Sequence, residues 1–186
     1  MNVPNLLSLF RIVITFFFIL AVYNDRSMLA LGLFVLQGIT DVLDGFIARV
    51  MSKKTNLGAF LDPIADKTML VAALVMLSIK DKVPLGLTLL VISKDLVVAV
   101  GFLLLYRLGR TFKPVPSIFG KITTACQILT ILYALWFYER TNEYGVVFFG
   151  VIGVTAFFTV LSGLHYIYVG IRLLREGKIS QTVAGN

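Results

Sequence analysis

Apolar residues run along this chain in six long blocks, roughly 5–23, 27–51, 57–79, 83–107, 117–138 and 144–172, separated by short polar breaks. Each block reaches the ~20 mostly apolar residues that a helix needs to cross a bilayer. The pattern predicts an all-α fold, an integral membrane bundle of six transmembrane helices. Short connections make neighbouring helices antiparallel. No repeat, low-complexity stretch or linker divides the chain, so residues 1–186 read as one domain. Residues 174–186 turn polar and are expected to fray in water. The opening block has no basic segment before it, and "FFFILAVYND" has no small-residue cleavage site. It is therefore expected to stay as the first span rather than leave as a signal peptide.

Composition agrees with a membrane bundle. The chain is 58% hydrophobic with a mean hydropathy of +0.91, against about 45–50% apolar for a soluble domain. A net charge of +7 first suggests nucleic acid. The basic residues instead sit in short loops between apolar blocks, which points to membrane orientation and anionic lipid. Arg49, Lys53 and Lys54 mark the second connection, Arg107, Arg110 and Lys113 the fourth, and Arg172, Arg175 and Lys178 the C-terminus. On the other side, Arg26, Lys80, Lys82 and Arg140 each have an acid nearby. The basic excess puts both termini in the cytoplasm of a cell (inner or plasma) membrane protein, with no nucleic-acid partner. The lone cysteine, Cys126, excludes an intrachain disulfide.

The chemistry is concentrated in DVLDGFIARVMSKKTNLGAFLDPIADK, residues 41–67. Asp41 and Asp44 are spaced i, i+3, and Asp62 and Asp66 are spaced i, i+4, so each pair occupies one helical face. Loop charges put all four at one depth, on the cytoplasmic side. Uncompensated carboxylates there would repel and protonate. Hard divalent cations, which prefer oxygen ligands, are the natural compensation. Two would suit four carboxylates and still attract a phosphate-bearing ligand. Gly45 and Ala48 keep the aspartate side of the second helix small, and Gly58 does the same on the third. Arg49 offers a fixed fork of donors to phosphate. A cation transporter is the rival from another class, but transport would spread polar residues through the membrane depth. Here only Lys94 and Asp95 lie near the middle.

The stretch reads D-x2-D-G-x2-A-R-x8-G-x3-D-x3-D, filled by Asp41, Asp44, Gly45, Ala48, Arg49, Gly58, Asp62 and Asp66. It resembles the signature of the CDP-alcohol phosphatidyltransferases, whose length and six spans also match. The resemblance implies a fold, a reaction and site roles. CDP-diacylglycerol binds with its cytidine at the cytoplasmic end, an alcohol attacks the lipid-side phosphorus, and CMP leaves. Asp41, Asp44, Asp62 and in part Asp66 hold two metals, Mg²⁺ or Mn²⁺, and Asp66 is the general base. Asp44, Gly45, Ala48, Arg49 and Gly58 are expected at the CDP-lipid, and a homodimer is implied by the resemblance alone.

The acceptor alcohol must be read elsewhere. The opening "NVPNLLSLFRI" resembles family members that use glycerol 3-phosphate, and also the eukaryotic-type cardiolipin synthases, which use phosphatidylglycerol. Asn5, Ser8 and Arg11 share a helical face. Asn5 and Ser8 are expected at the CDP-lipid and Arg11 at the acceptor. Lys94 and Asp95, Arg110 and Lys121 are the further acceptor candidates, a cationic pocket suited to a phosphorylated alcohol. An ion pair is the structural alternative for Lys94 and Asp95. The Lys-Asp and Gly-Lys pairs match neither acceptor class cleanly. Glycerol 3-phosphate is the favoured acceptor, phosphatidylglycerol the alternative. His165 reads as a packing histidine, and Tyr133, Trp136, Tyr138 and Tyr144 as an aromatic belt.

Overall fold

The computed structural model describes the backbone of residues 3–50, 56–107, 117–141 and 145–183. Side chains are described for residues 10–41, 67–105, 107, 117–137 and 145–173. Six helices form: α1 (Val3–Tyr23), α2 (Ser27–Val50), α3 (Asn56–Ile79), α4 (Leu85–Arg107), α5 (Ile118–Thr141) and α6 (Val146–Val183). No strand occurs among the described residues. Helix starts and ends lie within three residues of the predicted blocks except at the last one. There α6 runs on to Val183, through the segment expected to fray. Leu173, Leu174, Arg175, Glu176 and Lys178 are good helix formers, and no proline stops the run. Among the described residues, Leu85–Leu105, Ile118–Phe137 and Val146–Leu173 are long and apolar enough to cross a membrane. Phe10–Tyr23, Ser27–Asp41 and Lys67–Ile79 are shorter apolar stretches.

Two turns set the hairpins, and both are built the same way. After α1, the Arg26 amide donates to the Ala21 carbonyl (2.9 Å) and the Asp25 amide to Val22 (3.1 Å). After α3, the Lys82 amide donates to Leu77 (2.7 Å) and the Asp81 amide to Ser78 (3.1 Å). These are paired Schellman bonds, which satisfy the last carbonyls of each helix. They require a left-handed residue, and Asp25 (φ 56°) and Asp81 (φ 54°) supply it. Aspartate tolerates this region better than most residues with a Cβ. The two hairpins are also tied to each other. Lys80 Nζ bonds Asp25 Oδ2 at 2.7 Å, and Lys82 Nζ bonds Ser27 Oγ at 2.7 Å. The hydrogen bond from Lys80 holds the exposed Asp25 carboxyl below its usual range.

Helix α1 packs on α2 and α3, while α6 packs on α4 and α5; α2 and α3 meet α5 and join the two halves. The apolar core is drawn from the later parts of α1, α3 and α5 and the earlier parts of α2, α4 and α6. Phe18, Phe34, Leu74, Leu77, Val91, Ile131, Leu135 and Phe148 are its larger members. In an antiparallel bundle those segments lie at one end. Tyr133 stacks between Phe137 and Phe148 there (4.3 and 5.2 Å between centroids), and Trp136 is exposed.

Beyond the core the interior turns polar. Buried Arg11, Gln37 and Gln127 follow it by one or two turns. The α5–α6 seam is lined by hydroxyls. Thr123 Oγ1 lies 2.9 Å from the Phe158 carbonyl, Thr155 Oγ1 lies 3.2 Å from that of Cys126, and Thr130 and Thr155 bond each other at 2.9 Å. Such interhelical bonds contribute about 0.6 kcal/mol each in a membrane, so they set register more than stability. His165 packs its ring 5.5 Å from that of Phe119.

The Asp81 turn gives a direct check. Asp81→Ile is expected to lower stability by about 1–2 kcal/mol, because a β-branched residue resists the left-handed region. Asp81→Gly should hold stability level or raise it. Thermal unfolding of the detergent-solubilised protein measures both.

Candidate active site

Helix α2 is continuous through positions 41, 44, 45, 48 and 49, and α3 through 58, 62 and 66. The helical spacing on which the aspartate pairs depend is therefore present. The side chains of Asn5, Ser8, Asp44, Gly45, Ala48, Arg49, Gly58, Asp62 and Asp66 lie outside the described residues, as does Arg110 altogether. Asp41 is described. It stands at the α2 surface, half exposed. A carboxylate-only donor set on two continuous helices fits hard divalent cations.

Arg11, expected at the acceptor, is 2% exposed and turns from α1 to α2, where Nη2 meets Asp41 Oδ1 at 3.0 Å. Gln37, one helical turn before Asp41, fixes the same junction. Its Nε2 donates to the Arg11 carbonyl (3.2 Å) and to Thr15 Oγ1 (2.9 Å). Thr15 in turn donates to the Arg11 carbonyl at 2.9 Å. An arginine this deep stays charged, so a carboxylate beside it is close to obligatory. Its pairing fixes the rotation of α1 against α2 and orients the first aspartate of the motif.

Lys94 and Asp95 do form the ion pair considered above, at 2.8 Å, but with a third member. Lys67 Nζ reaches from α3 to the same oxygen, Asp95 Oδ1, at 2.6 Å. Lys94 is buried and Lys67 is half exposed. Sequence reasoning passed over Lys67, although it directly follows Asp66 and is the one cation in α3. It also passed over Gln37. Lys121 is exposed in the first turn of α5 and makes no ion pair among the described residues.

The candidate site thus combines motif aspartates on α2 and α3 with a charge cluster bridging α3 and α4. A family profile described as CDP-alcohol phosphatidyltransferase matches residues 1–161. This chain belongs to that family. The phosphatidyltransferase is similar to the CDP-diacylglycerol–glycerol-3-phosphate 3-phosphatidyltransferase of Haemophilus influenzae, with 32% identity over 90% of this chain and 92% of the relative. The enzyme of the same name from Wigglesworthia glossinidia brevipalpis is 30% identical over 92% and 96%. The human CMP-forming cardiolipin synthase is 34% identical over 72% of this chain and half of the relative. The phosphatidyltransferase is accordingly a membrane enzyme of phospholipid synthesis.

Gln37→Leu keeps the side-chain bulk and removes both donors at the α1–α2 junction. It is expected to cost the phosphatidyltransferase about 1–2 kcal/mol, seen as a lower unfolding temperature in detergent. An unchanged temperature would mean the junction is held by other contacts.

Proposed function

We propose that this phosphatidyltransferase moves the phosphatidyl group of CDP-diacylglycerol to glycerol 3-phosphate, giving phosphatidylglycerophosphate and CMP. The observation that carries this reading is the nearly full-length likeness to two relatives named for that reaction. A phosphatidylglycerol acceptor, as in cardiolipin synthase, is the second reading. It is supported by a likeness of similar identity over less of the chain. Both readings use the same donor and the same aspartates.

Asp66 takes the proton of the acceptor hydroxyl. The freed oxygen bonds to the lipid-side phosphorus, the bond from that phosphorus to the bridging oxygen breaks, and CMP leaves with the electron pair. Asp41, Asp44, Asp62 and Asp66 would hold two divalent cations, Mg²⁺ or Mn²⁺, whose charge would offset that of the diphosphate and of the leaving CMP. Arg11 keeps the Asp41 carboxylate turned toward that set. Arg49 contacts the diphosphate, and Gly45, Ala48 and Gly58 leave it room against the helices. Asn5 and Ser8 add polar contacts to the CDP-lipid. Lys121, Arg110 and the Lys94–Asp95 pair serve the acceptor's phosphate.

The site belongs to one domain spanning residues 1–186, with six transmembrane helices and both termini in the cytoplasm of the cell membrane. The supporting observation is the basic excess in the second and fourth connections and the C-terminal segment. Glycerol 3-phosphate and CDP are water-soluble, so a cytoplasmic opening is also what the chemistry needs. The working unit is a homodimer.

CMP release measured across glycerol 3-phosphate, phosphatidylglycerol, inositol phosphate and serine tests the acceptor. Only glycerol 3-phosphate should support turnover, and it should require Mg²⁺ or Mn²⁺. A preference for phosphatidylglycerol would install the second reading. Asp66→Asn is expected to abolish turnover in a protein that still folds; near-normal rates would remove Asp66 as base. Lys121→Ala should raise the acceptor KM well above any change in that for CDP-diacylglycerol. An equal rise in both would argue against a dedicated contact.

A further inference from the structure

At the hairpin end remote from the motif aspartates, α1 and α2 leave an open groove of about 560 Å³ between them. Its walls follow from helical spacing. Phe17, Leu20 and Asn24 share a face of α1, and Arg26, Leu29 and Leu33 share one that starts at the cap of α2. The two rows converge at the Asp25 turn. Ala21 is buried and small, which keeps the groove deep, and Leu33 rests against the apolar core. The groove is therefore polar at the turn, where Asn24 and Arg26 stand, and apolar further along both helices.

Arg26 is exposed, and its guanidinium makes no hydrogen bond or ion pair among the described residues. The acid beside it in sequence does not serve it, because the Asp25 carboxylate turns to Lys80 at 2.7 Å. Lys80 also stands 5.5 Å from the centre of the Tyr23 ring, and Lys82 is buried against Ser27. Those two cations of the same end are thus engaged, while Arg26 keeps its donors for a ligand. No acidic residue occurs in the first turn of α2, so the partial positive charge of that helix end adds to the arginine's. A guanidinium presents a planar fork that matches two phosphate oxygens at once.

A ligand for this groove needs an anionic head at the turn and a long apolar tail. A soluble phosphate would leave Phe17, Leu20, Leu29 and Leu33 uncovered. A neutral lipid would leave the arginine's charge unanswered, and a zwitterionic one brings its own cation to the same place. We infer that the groove binds one anionic phospholipid, with its phosphate on Arg26 and an acyl chain laid along the apolar rows of α1 and α2. The site lies at the other end of these helices from Asp41 and Asp44, so it is separate from the place of the CDP-lipid. The bound lipid touches both helices of the hairpin that carries Arg11 and Asp41. Both acceptor readings yield an anionic phospholipid, so the product class itself qualifies as ligand.

Trp136 is the single tryptophan, so the full-length double variant Trp136→Phe, Phe17→Trp carries one fluorescent reporter in the groove. Phe17 is half exposed, and the aromatic exchange should leave the fold intact. The protein is placed in phosphatidylcholine vesicles with rising fractions of chain-brominated phosphatidylglycerol or chain-brominated phosphatidylcholine. Quenching reads which lipid lies against the reporter. Phosphatidylglycerol should be preferred about fivefold, the selectivity that one arginine near anionic lipid provides. Adding Arg26→Gln should remove the preference, whereas Arg26→Lys, which keeps the charge and loses the fork, should retain part of it. A reporter moved to the exposed side of α6, Val154→Trp, should show no preference. Equal quenching by the two lipids at Phe17→Trp, or a preference that survives Arg26→Gln, would overturn the inference. So would a reporter that neither lipid quenches, the result expected if a second copy of the chain covers the groove.

Discussion

Charge cannot be left alone in hydrocarbon, and that constraint organises the bundle. At two places among the described residues, charge inside the bundle is held by opposite charge. Arg11 meets Asp41. Lys67 and Lys94 meet Asp95. Each contact crosses from one helix to the next or ties neighbours within one, so satisfying the charge also fixes helix rotation. The larger buried polar side chains, Arg11, Gln37 and Gln127, stand apart from the part filled by Phe18, Phe34, Leu74, Leu135, Phe148 and their neighbours, where Ser27, Ser78, Lys82 and Thr88 are the buried polar groups.

The same constraint ties chemistry to stability. Arg11 orients an aspartate of the motif, yet its carbonyl is also the anchor for Gln37 and Thr15. Rotation of α1 would move the aspartate face of α2 with it. Hydroxyls on α5 and α6 act more gently. Thr123 and Thr155 reach backbone carbonyls of the facing helix, and Thr130 meets Thr155, which fixes sliding of the pair at small energetic gain.

Much of this was legible in the sequence, for identifiable reasons. Apolar blocks gave the helix boundaries, because Asp25 and Asp81 interrupt them where the turns form. Spacing gave the aspartate faces, and the motif around them gave the family that the residue 1–161 match bears out. Helix α6 ran past its apolar block because polarity alone does not end a helix that lacks a breaker. Contacts between helices were the least legible. That Arg11 faces Asp41, and that Lys67 shares Asp95 with Lys94, depends on how two cylinders are turned against each other. A single sequence carries no signal for that rotation. The unexplained cation in α3 was the one clue available.

The turn residues have a mechanical consequence. Lys80 clasps Asp25 and Lys82 clasps Ser27, so the α1–α2 and α3–α4 hairpins are pinned together at their closed ends. Positions 41, 44, 62 and 66 lie toward the other ends of α2 and α3, which residues 51–55 join in sequence. The two helices are therefore held from both directions, by the Lys80 and Lys82 contacts at one end and by the chain itself at the other, so the spacing between their motif positions is constrained twice over.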